Sequence, residues 1–291
     1  MAPTRDVGSR PFRRQGRPLS SSETQTVGGA AFNLDGRVAI ITGAGKGIGA
    51  ATAVTFAEAG ADVLLIARTA DDLARVAGEV RARGRRALAL PGDVNDVAVL
   101  ADAVAMAVGE LGGLDVVVNN AGGSYSRPFL ETSTDQLESS FHFNVSVPFE
   151  LSRLATPHLL ESEGGGAIVN VSSVAGLNVS RGSLAHSLTK AALNQLTRLM
   201  AAELAPRVRV NAVLPGAIET DALRGYLSAK APDVRQTMIA HTAMRRNGTP
   251  EDIARAILFL AAPAASWITG KLLEVDGMVV HEFIPSSLPD L

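Results

Sequence analysis

The sequence contains no cysteine and few aromatic residues, with one tryptophan and two tyrosines in 291 positions. Without cysteine, the chain has no disulfide bonds, no thiolate nucleophile and no cysteine-ligated metal site. This absence suits a reducing compartment, and the cytoplasm is the predicted location. No group of His, Asp and Glu residues has the spacing of metal ligands, so no metal site is predicted.

The sequence also lacks a strong charge of either sign and long apolar runs. Its formal net charge is −2, which gives no general signal for binding nucleic acid or an anionic membrane surface. No uninterrupted apolar segment approaches the ~20 residues of a membrane-spanning helix. Nucleic acids and membranes are therefore not expected partners. The length allows one large domain or two small ones, with a sizeable buried core in either case.

Residues 1–32 differ in composition from the rest of the chain. They are rich in Ser, Gly and Pro, and they include five arginines but only two acidic residues. No helical or strand period is visible there, which predicts a disordered tail followed by a single domain over residues 33–291. The alternative is an organellar transit peptide, since such segments are typically rich in Arg and Ser and poor in acids. The absence of an arginine-flanked amphipathic stripe favours the tail.

From Arg37 onward, short apolar segments alternate with Ala- and Leu-rich amphipathic stretches such as 71–83 and 96–108. The short segments are almost entirely apolar, as expected for strands that are covered on both faces. The alternation predicts an α/β fold, a single Rossmann-like doubly wound domain whose seven-stranded parallel sheet has helices on both faces. Ligands bind beyond the carboxyl ends of such strands. The predicted strands are 38–41, 63–66, 87–90, 115–119, 167–171, 208–213 and 272–275.

A glycine-rich loop follows the first predicted strand and precedes a helical run that starts near residue 50. Its glycines allow a tight turn and a close approach of the backbone to a pyrophosphate, and the helix dipole favours the negative charge. A glycine-rich turn alone is weak support, but its position between a strand and a helix predicts a dinucleotide site. The loop reads Thr42, Gly43, Ala44, Gly45, Lys46, Gly47, Ile48 and Gly49.

The second predicted strand is followed by Ala67, Arg68 and Thr69. A carboxylate at this point accepts the ribose 2′-hydroxyl of NAD, whereas an arginine suits the 2′-phosphate of NADP. Ala67 supplies no carboxylate, while Arg68 and Lys46 supply two cations. NADP(H) is therefore predicted in preference to NAD(H), and the alternative is that Arg68 is an ordinary solvated surface arginine.

With these motifs in order, the sequence resembles the short-chain dehydrogenase/reductase family over roughly residues 34–280. The resemblance implies an oxidoreductase that interconverts a carbonyl and a secondary alcohol. The family's pattern Thr-Gly-x-x-x-Gly-x-Gly is met in the glycine-rich loop, and further family motifs imply contacts with the rest of the cofactor. These are Asp93 with Val94 for the adenine, the Asn119-Asn120-Ala121-Gly122 loop, Pro215-Gly216, and Ile218 and Thr220 for the nicotinamide carboxamide.

The family's catalytic residues are Asn, Ser, Tyr and Lys, and three of them are in register here. Asn144, Ser173 and Lys190 match the pattern, and the resemblance implies that Lys190 also contributes to cofactor binding. The tyrosine lies thirteen residues after the serine and four before the lysine, and this sequence has His186 at that position. In the family, the tyrosine exchanges a proton with the substrate oxygen, the lysine lowers the tyrosine pKa, and the serine binds the same oxygen. The asparagine helps to hold a proton relay through water and the lysine.

His186 has three interpretations. In the first, the imidazole replaces the phenol; Lys190, one helical turn away, lowers its pKa, so that a neutral histidine acts as a base and favours oxidation at neutral pH. In the second, the site binds cofactor and substrate but serves isomerisation, elimination, cyclisation or binding alone. In the third, His186 is a laboratory substitution that disables catalysis. The sequence alone leaves all three open.

The resemblance also implies a variable substrate lid over residues 217–247 and assembly as a homotetramer. The lid carries several apolar side chains, which predicts a mainly apolar, medium-sized carbonyl or alcohol substrate, although ordinary packing of the lid explains them equally well. The tetramer is expected to form on the helices 134–160 and 186–204, with 279–291 reaching a neighbouring subunit. His142 is interpreted as a core or helix-face residue. The predicted substrate-lining residues are Ser124, Tyr125, Leu177, Leu223 and Tyr226.

Overall fold

The computed structural model describes residues 29–124, 126–228 and 233–279. The predicted tail up to residue 28, Tyr125 and the segment from residue 280 onward lie outside the described residues. Residues Ala30–Phe32 form a 3-10 turn, and the Phe32 ring lies 6.2 Å from the ring of Phe259. Regular structure therefore begins slightly before the predicted start of the domain at residue 33.

Seven parallel strands form a single sheet in the order β3-β2-β1-β4-β5-β6-β7. The predicted α/β fold with a doubly wound parallel sheet is confirmed, and the strand bounds differ from the predicted ones by two residues at most. The strands are β1 (Val38–Thr42), β2 (Asp62–Ala67), β3 (Ala87–Pro91), β4 (Val116–Asn119), β5 (Gly166–Val171), β6 (Val208–Pro215) and β7 (Leu272–Val275).

Helices connect the strands and cover both faces of the sheet. The stretch predicted as one long helix over 134–160 is instead interrupted by a π-helical turn at His142–Ser146, and another π-helical turn, Ala107–Leu111, follows α3. The helices are α1 (Gly47–Glu58), α2 (Ala70–Arg81), α3 (Val97–Met106), α4 (Thr134–Phe141), α5 (Val147–Leu159), α6 (Leu184–Leu204), α7 (Asp221–Ser228), α8 (Val234–Ala240) and α9 (Pro250–Ala261).

Each strand supplies side chains to two cores, because successive residues point to opposite faces of a sheet. On β1, Ala39 and Ile41 belong to the core under α1, α2 and α9, whereas Ile40 belongs to the core under α3 and α5. Every residue of β1 is buried. This burial on both faces explains why the strand reads as a continuous apolar run. Within the described ranges, no helix is both long and apolar enough to cross a bilayer.

The strand order reverses at β1, which lies between β2 and β4. The chain moves outward from β1 to β3 and then returns to place β4 on the other side, which opens a crevice at the carboxyl ends of β1 and β4. This crevice is held together by Thr42, whose Oγ1 accepts hydrogen bonds from the backbone N–H groups of Asn120 and Ala121, both at 2.9 Å. The Asn120 side-chain amide also donates to the carbonyl oxygen of Thr42 at 2.8 Å.

Candidate active site

The glycine-rich loop joins the end of β1 to the start of α1. Gly47, the first residue of α1, has a φ of 54°, in the left-handed region that favours glycine. A Cβ atom at Gly49 would lie 2.4 Å from the carbonyl oxygen of Gly43, so this position has no room for a side chain. The side chain of Lys46 does not cap α1. The first amides of the helix are therefore left without a capping side chain, and an uncapped helix N-terminus binds an anion favourably.

The two predicted cations near this loop have different surroundings. The Nζ of Lys46 lies 3.3 Å from a carboxylate oxygen of Asp72 on α2. Arg68 is exposed just after β2, and no hydrogen bond or ion pair joins its guanidinium to the described part of the chain. Arg68 is consequently the cation that is open to a ligand, while Lys46 shares its charge with an acidic neighbour.

The remaining predicted cofactor residues lie along the same edge of the sheet. Asp93 follows β3 and accepts hydrogen bonds from the backbone and side-chain nitrogens of Asn95 at 3.0 and 2.8 Å. Val94 and Ile218 are buried. Thr220 packs against the glycine-rich loop, because its Cγ2 lies 3.2 Å from the position of a Cβ at Gly47. Pro215 ends β6, and Gly216 packs closely on Asp276.

Asn144 lies in the π-helical turn between α4 and α5 and is completely buried. Its Oδ1 accepts from the backbone N–H of Gly123 at 2.9 Å. Its Nδ2 donates to the carbonyl oxygens of Gly123 and Ser140, at 2.8 and 2.9 Å. A π-helical turn widens the helix locally, and here the amide side chain at that turn binds the loop that follows β4.

Lys190 is 5% exposed on α6, and its Nζ donates to the carbonyl oxygen of Val171 at 2.9 Å. Burial lowers the pKa of Lys190 to about 8. A Cβ atom at Gly122 would lie 3.0 Å from Asn144 Oδ1 and 3.1 Å from Lys190 Nζ. The asparagine and the lysine, which are far apart in sequence, therefore meet over one glycine at the carboxyl end of β4.

His186 lies one turn before Lys190 on α6 and is half-buried. Its Nδ1 is buried and has no hydrogen-bond partner among the described residues. Burial, and secondarily the charge of Lys190, lowers the pKa of His186 to about 4. The direction predicted from the sequence is confirmed, but burial contributes more than the lysine does. The imidazole is therefore neutral at pH 7.

Ser173 follows β5, and its Oγ accepts from the backbone N–H of Ala175 at 3.1 Å. This hydrogen bond caps the 3-10 turn Val174–Gly176. The turn packs directly on α6, since a Cβ at Gly176 would lie 2.8 Å from the carbonyl carbon of Lys190. The structure thus places Ser173 at the start of a turn that is packed against the helix carrying His186 and Lys190.

Comparison with known proteins shows the family of this chain. The family of enoyl-(acyl carrier protein) reductases has a sequence profile that matches residues 43–278. An uncharacterized oxidoreductase of Mycobacterium tuberculosis is 47% identical over 260 residues, which cover 89% of this chain and 98% of that protein. This chain belongs to the short-chain dehydrogenase/reductase family. It is an oxidoreductase of that family.

Two further comparisons concern 7α-hydroxysteroid dehydrogenases. The 7α-hydroxysteroid dehydrogenase of Escherichia coli is 42% identical over 252 residues, covering 86% of this chain and 97% of that protein. A solved structure of 7α-hydroxysteroid dehydrogenase complexed with NADH and 7-oxo glycochenodeoxycholic acid matches with a TM-score of 0.82 at 40% identity. That match covers 87% of this chain and 98% of the solved chain.

The residues predicted to line the substrate site of this short-chain dehydrogenase/reductase are less fully described. Ser124 lies 3.1 Å from Ser140, Oγ to Oγ, beside the loop that Asn144 binds. Leu177 is 49% exposed, and Leu223 is half-buried on α7. Tyr226 lies on α7, but its side chain and all of Tyr125 fall outside the described parts. His142 is exposed in the π-helical turn, which agrees with a helix-face position.

Several residues near the site were not identified from the sequence. Ser172 joins β5 to α6 by donating from Oγ to the carbonyl oxygen of Lys190 at 3.2 Å. Asn194, one turn beyond Lys190, is 3% exposed, and neither of its amide atoms has a partner among the described residues. Within the segment predicted as a lid, the Glu219 carboxylate accepts hydrogen bonds from Arg235 at 2.7 Å and from Asn247 at 2.8 Å. The spacing of Asn194 four residues after Lys190 is the one signal that places it on the same helix face.

Proposed function

We propose that this chain is an NADP(H)-dependent oxidoreductase that interconverts a secondary alcohol and a carbonyl on a mainly apolar substrate. His186 takes the position that a tyrosine holds in the family. The proposal rests chiefly on Asn144 and Lys190 meeting over Gly122, with His186 one turn away on the same helix. This group lies at the edge of the sheet that also carries the glycine-rich loop, so cofactor and substrate would meet there.

The residues of the glycine-rich loop fit a dinucleotide. The loop has no room for a side chain at Gly49, and it leaves the N-terminus of α1 uncapped. When bound, the nicotinamide accepts or supplies the hydride. The residues that would hold the cofactor are Thr42, Gly43, Gly45, Lys46, Gly47, Ile48 and Gly49 at the pyrophosphate, Arg68 and Thr69 at the 2′-phosphate, Asp93 and Val94 at the adenine, and Asn120, Ala121, Gly122, Lys190, Pro215, Gly216, Ile218 and Thr220 toward the nicotinamide.

The preference for NADP(H) is supported by Arg68, an exposed guanidinium without a partner in the described chain, beside Ala67, which has no carboxylate. We expect Arg68→Ala to weaken NADPH binding about tenfold, as for the loss of one hydrogen-bonded charge pair, and to leave NADH binding unchanged. Isothermal titration with both cofactors measures this, with Arg198→Ala on α6 as the exposed-arginine control. Tighter binding of NADH than of NADPH by the parent would contradict the preference.

The proton step follows from the state of His186. With a pKa of about 4, the imidazole is neutral at pH 7 and accepts a proton more readily than it donates one. The Ser173 hydroxyl would bind the substrate oxygen, and the imidazole would take the proton from an alcohol oxygen. Lys190, beside Asn144, would lead that proton toward solvent. The site therefore favours oxidation of an alcohol over reduction of a carbonyl at neutral pH.

The decisive experiment compares the parent with His186→Tyr, using NADPH with a panel of ketones and NADP⁺ with the matching secondary alcohols. We expect the parent to oxidise alcohols, and we expect the variant to gain on the order of 100-fold in ketone reduction at pH 7, because a phenol beside Lys190 is a better proton donor. Tight NADPH binding without turnover in either protein would contradict a redox function and favour a different reaction class.

A cytoplasmic homotetramer is the assembly we propose, and the absence of cysteine supports the location. The helices expected at the subunit contacts carry exposed apolar side chains, namely Phe141, Phe149, Leu188 and Leu199. Light scattering should give four times the chain mass of 30.2 kDa. We expect Phe149→Asp to shift the protein to smaller species, and an unchanged mass would argue against contacts through α5.

A further inference from the structure

A broad pocket opens beside the first turn of α6, the turn that also carries His186. Its volume is about 1020 Å³, at the upper end of the range for small-molecule sites. Two loops form its walls and are joined to each other, because Gly182 accepts hydrogen bonds from Arg127 N–H and Ser126 Oγ, both at 2.9 Å. The lining residues are Ser126, Arg127, Pro128, Phe129, Val179, Ser180, Arg181, Gly182, Leu184 and Ser187.

The pocket surface is predominantly apolar, and its exposed apolar side chains include Phe129 at 73% and Val179 at 101% exposure. Small-molecule sites are lined mainly by apolar and aromatic side chains, so these walls suit an apolar ligand. Leu184, at the start of α6, extends this surface toward the turn that carries His186.

The lining also contains two arginines, Arg127 and Arg181, and no acidic residue. Both arginines are exposed, and neither guanidinium has a hydrogen bond or ion pair with the described part of the chain. Many arginines elsewhere are paired, such as Arg37 with Asp115 at 2.8 Å and Arg86 with Asp62 at 2.6 Å. Two guanidinium groups without a partner in the described chain therefore lie around an apolar pocket whose lining has no carboxylate to neutralise them.

We propose that this pocket binds the distal part of an amphipathic carboxylate, with Arg127 and Arg181 at its anionic end and the apolar walls along its body. The inference rests on the proposed function and adds the class of substrate, an apolar alcohol or ketone that carries a carboxylate away from the reacting carbon. Arginine binds a carboxylate through parallel N–H···O hydrogen bonds, which fixes the orientation of the ligand as well as its affinity. Ser187 of the lining directly follows His186 on α6, so the pocket lies beside the helical turn that carries His186.

The test uses 7-oxo glycochenodeoxycholic acid and its methyl ester as probes, because the ester keeps the shape and removes the charge. Binding is measured by titration calorimetry on the full chain in the presence of NADPH and in its absence. We expect the acid to bind more tightly than the ester, and its affinity to fall about fivefold in Arg127→Gln or Arg181→Gln and on the order of 20-fold in the double variant. Arg198→Gln, on the same helix about three turns beyond the pocket, serves as the control.

Salt separates the charged contact from apolar burial, because exposed ion pairs are screened as ionic strength rises. We expect added salt to weaken binding of the acid in the parent and to have little effect on the ester or on the double variant. An acid that binds no better than its ester, or an affinity that the double variant retains, overturns the carboxylate site.

The two proposals fail in different ways. Turnover of neutral ketones or alcohols with no preference for the acid overturns the carboxylate site and leaves the redox function intact. Arginine-dependent binding of the acid without any turnover, in the parent and in His186→Tyr, supports the carboxylate site and contradicts the redox function.

Discussion

The loop between β1 and α1 and the N-terminal part of α6 contribute different kinds of atoms to the candidate site. The loop contributes backbone, since the N-terminus of α1 has no capping side chain and Gly49 has no room for a Cβ. The α6 face contributes titratable side chains, and burial changes the pKa of both Lys190 and His186. Backbone N–H groups do not titrate over the working pH range, whereas these two side chains gain or lose a proton. Recognition of the cofactor is therefore expected to be robust to pH, and proton transfer sensitive to it.

The largest effect is expected from Gly49→Ala, which tests the contribution of the loop backbone to cofactor binding. A Cβ at this position would lie 2.4 Å from the carbonyl oxygen of Gly43, so the loop must move and its amides lose their geometry. We expect NADPH affinity to fall at least on the order of 100-fold, as when several hydrogen bonds to a charged group are lost together. Gly78→Ala on α2 is the control, since no atom lies within 4 Å of its Cβ position. It should leave binding unchanged and raise stability by up to about 1 kcal/mol.

Lys190→Met tests the contribution of the titratable side chains on α6. We expect turnover to fall on the order of 100-fold or more, because the proposed route of the proton from the site to solvent through Lys190 is lost. The folded protein has a lower pKa at Lys190, about 8, than the unfolded chain, which has about 10.5. The parent should therefore gain about 3 kcal/mol of stability relative to the variant as pH rises from 8 to 10.5. Denaturant unfolding at both ends of that range measures the gain. The control Lys271→Met, at an exposed lysine, should show the same gain as the parent. If Lys190→Met also shows this gain, the gain does not arise at Lys190.

His186 gives the corresponding test of stability at acidic pH. Its pKa is about 4 in the folded protein against an ordinary value of 6.5 in the unfolded chain, so the unfolded chain binds more protons between these values. Stability should consequently fall as pH drops from 6.5 to 4, by about 3 kcal/mol more in the parent than in His186→Gln. The exposed His142→Gln variant should behave like the parent. Parallel curves for the parent and His186→Gln would mean that His186 is not buried as described.

The smallest expected effect concerns Asn194, which lies on the α6 face but has no proposed part in the chemistry. Both of its amide atoms are buried without a partner among the described residues. Unpaired buried polar groups are destabilising, so Asn194→Leu should raise stability by about 1 kcal/mol, or the melting temperature by roughly 2–4 °C. Activity should be unchanged. A destabilised variant would indicate instead that the amide hydrogen-bonds to buried water.

Local patterns were sufficient to predict the fold and the position of the glycine-rich loop between β1 and α1. The β1 run and the glycines of the following loop are adjacent in sequence, and their spacing has a direct structural meaning. The pairing of Lys46 with Asp72 was not predicted, because it joins a loop to a helix across a strand. The dominance of burial in the pKa of His186 was not predicted either, since burial depends on how the whole chain packs around α6.

The π-helical turn at Asn144 has a further consequence for how the site can be lost. A turn with i→i+5 hydrogen bonds holds one residue more than a regular α-helical turn. Deleting a single residue from His142–Ser146 would allow α4 and α5 to join as one regular helix and would rotate Asn144 away from Gly123. Removal of one residue from this turn would thus disrupt the candidate site even if every proposed catalytic side chain is retained, an outcome that a scan of substitutions alone does not reveal.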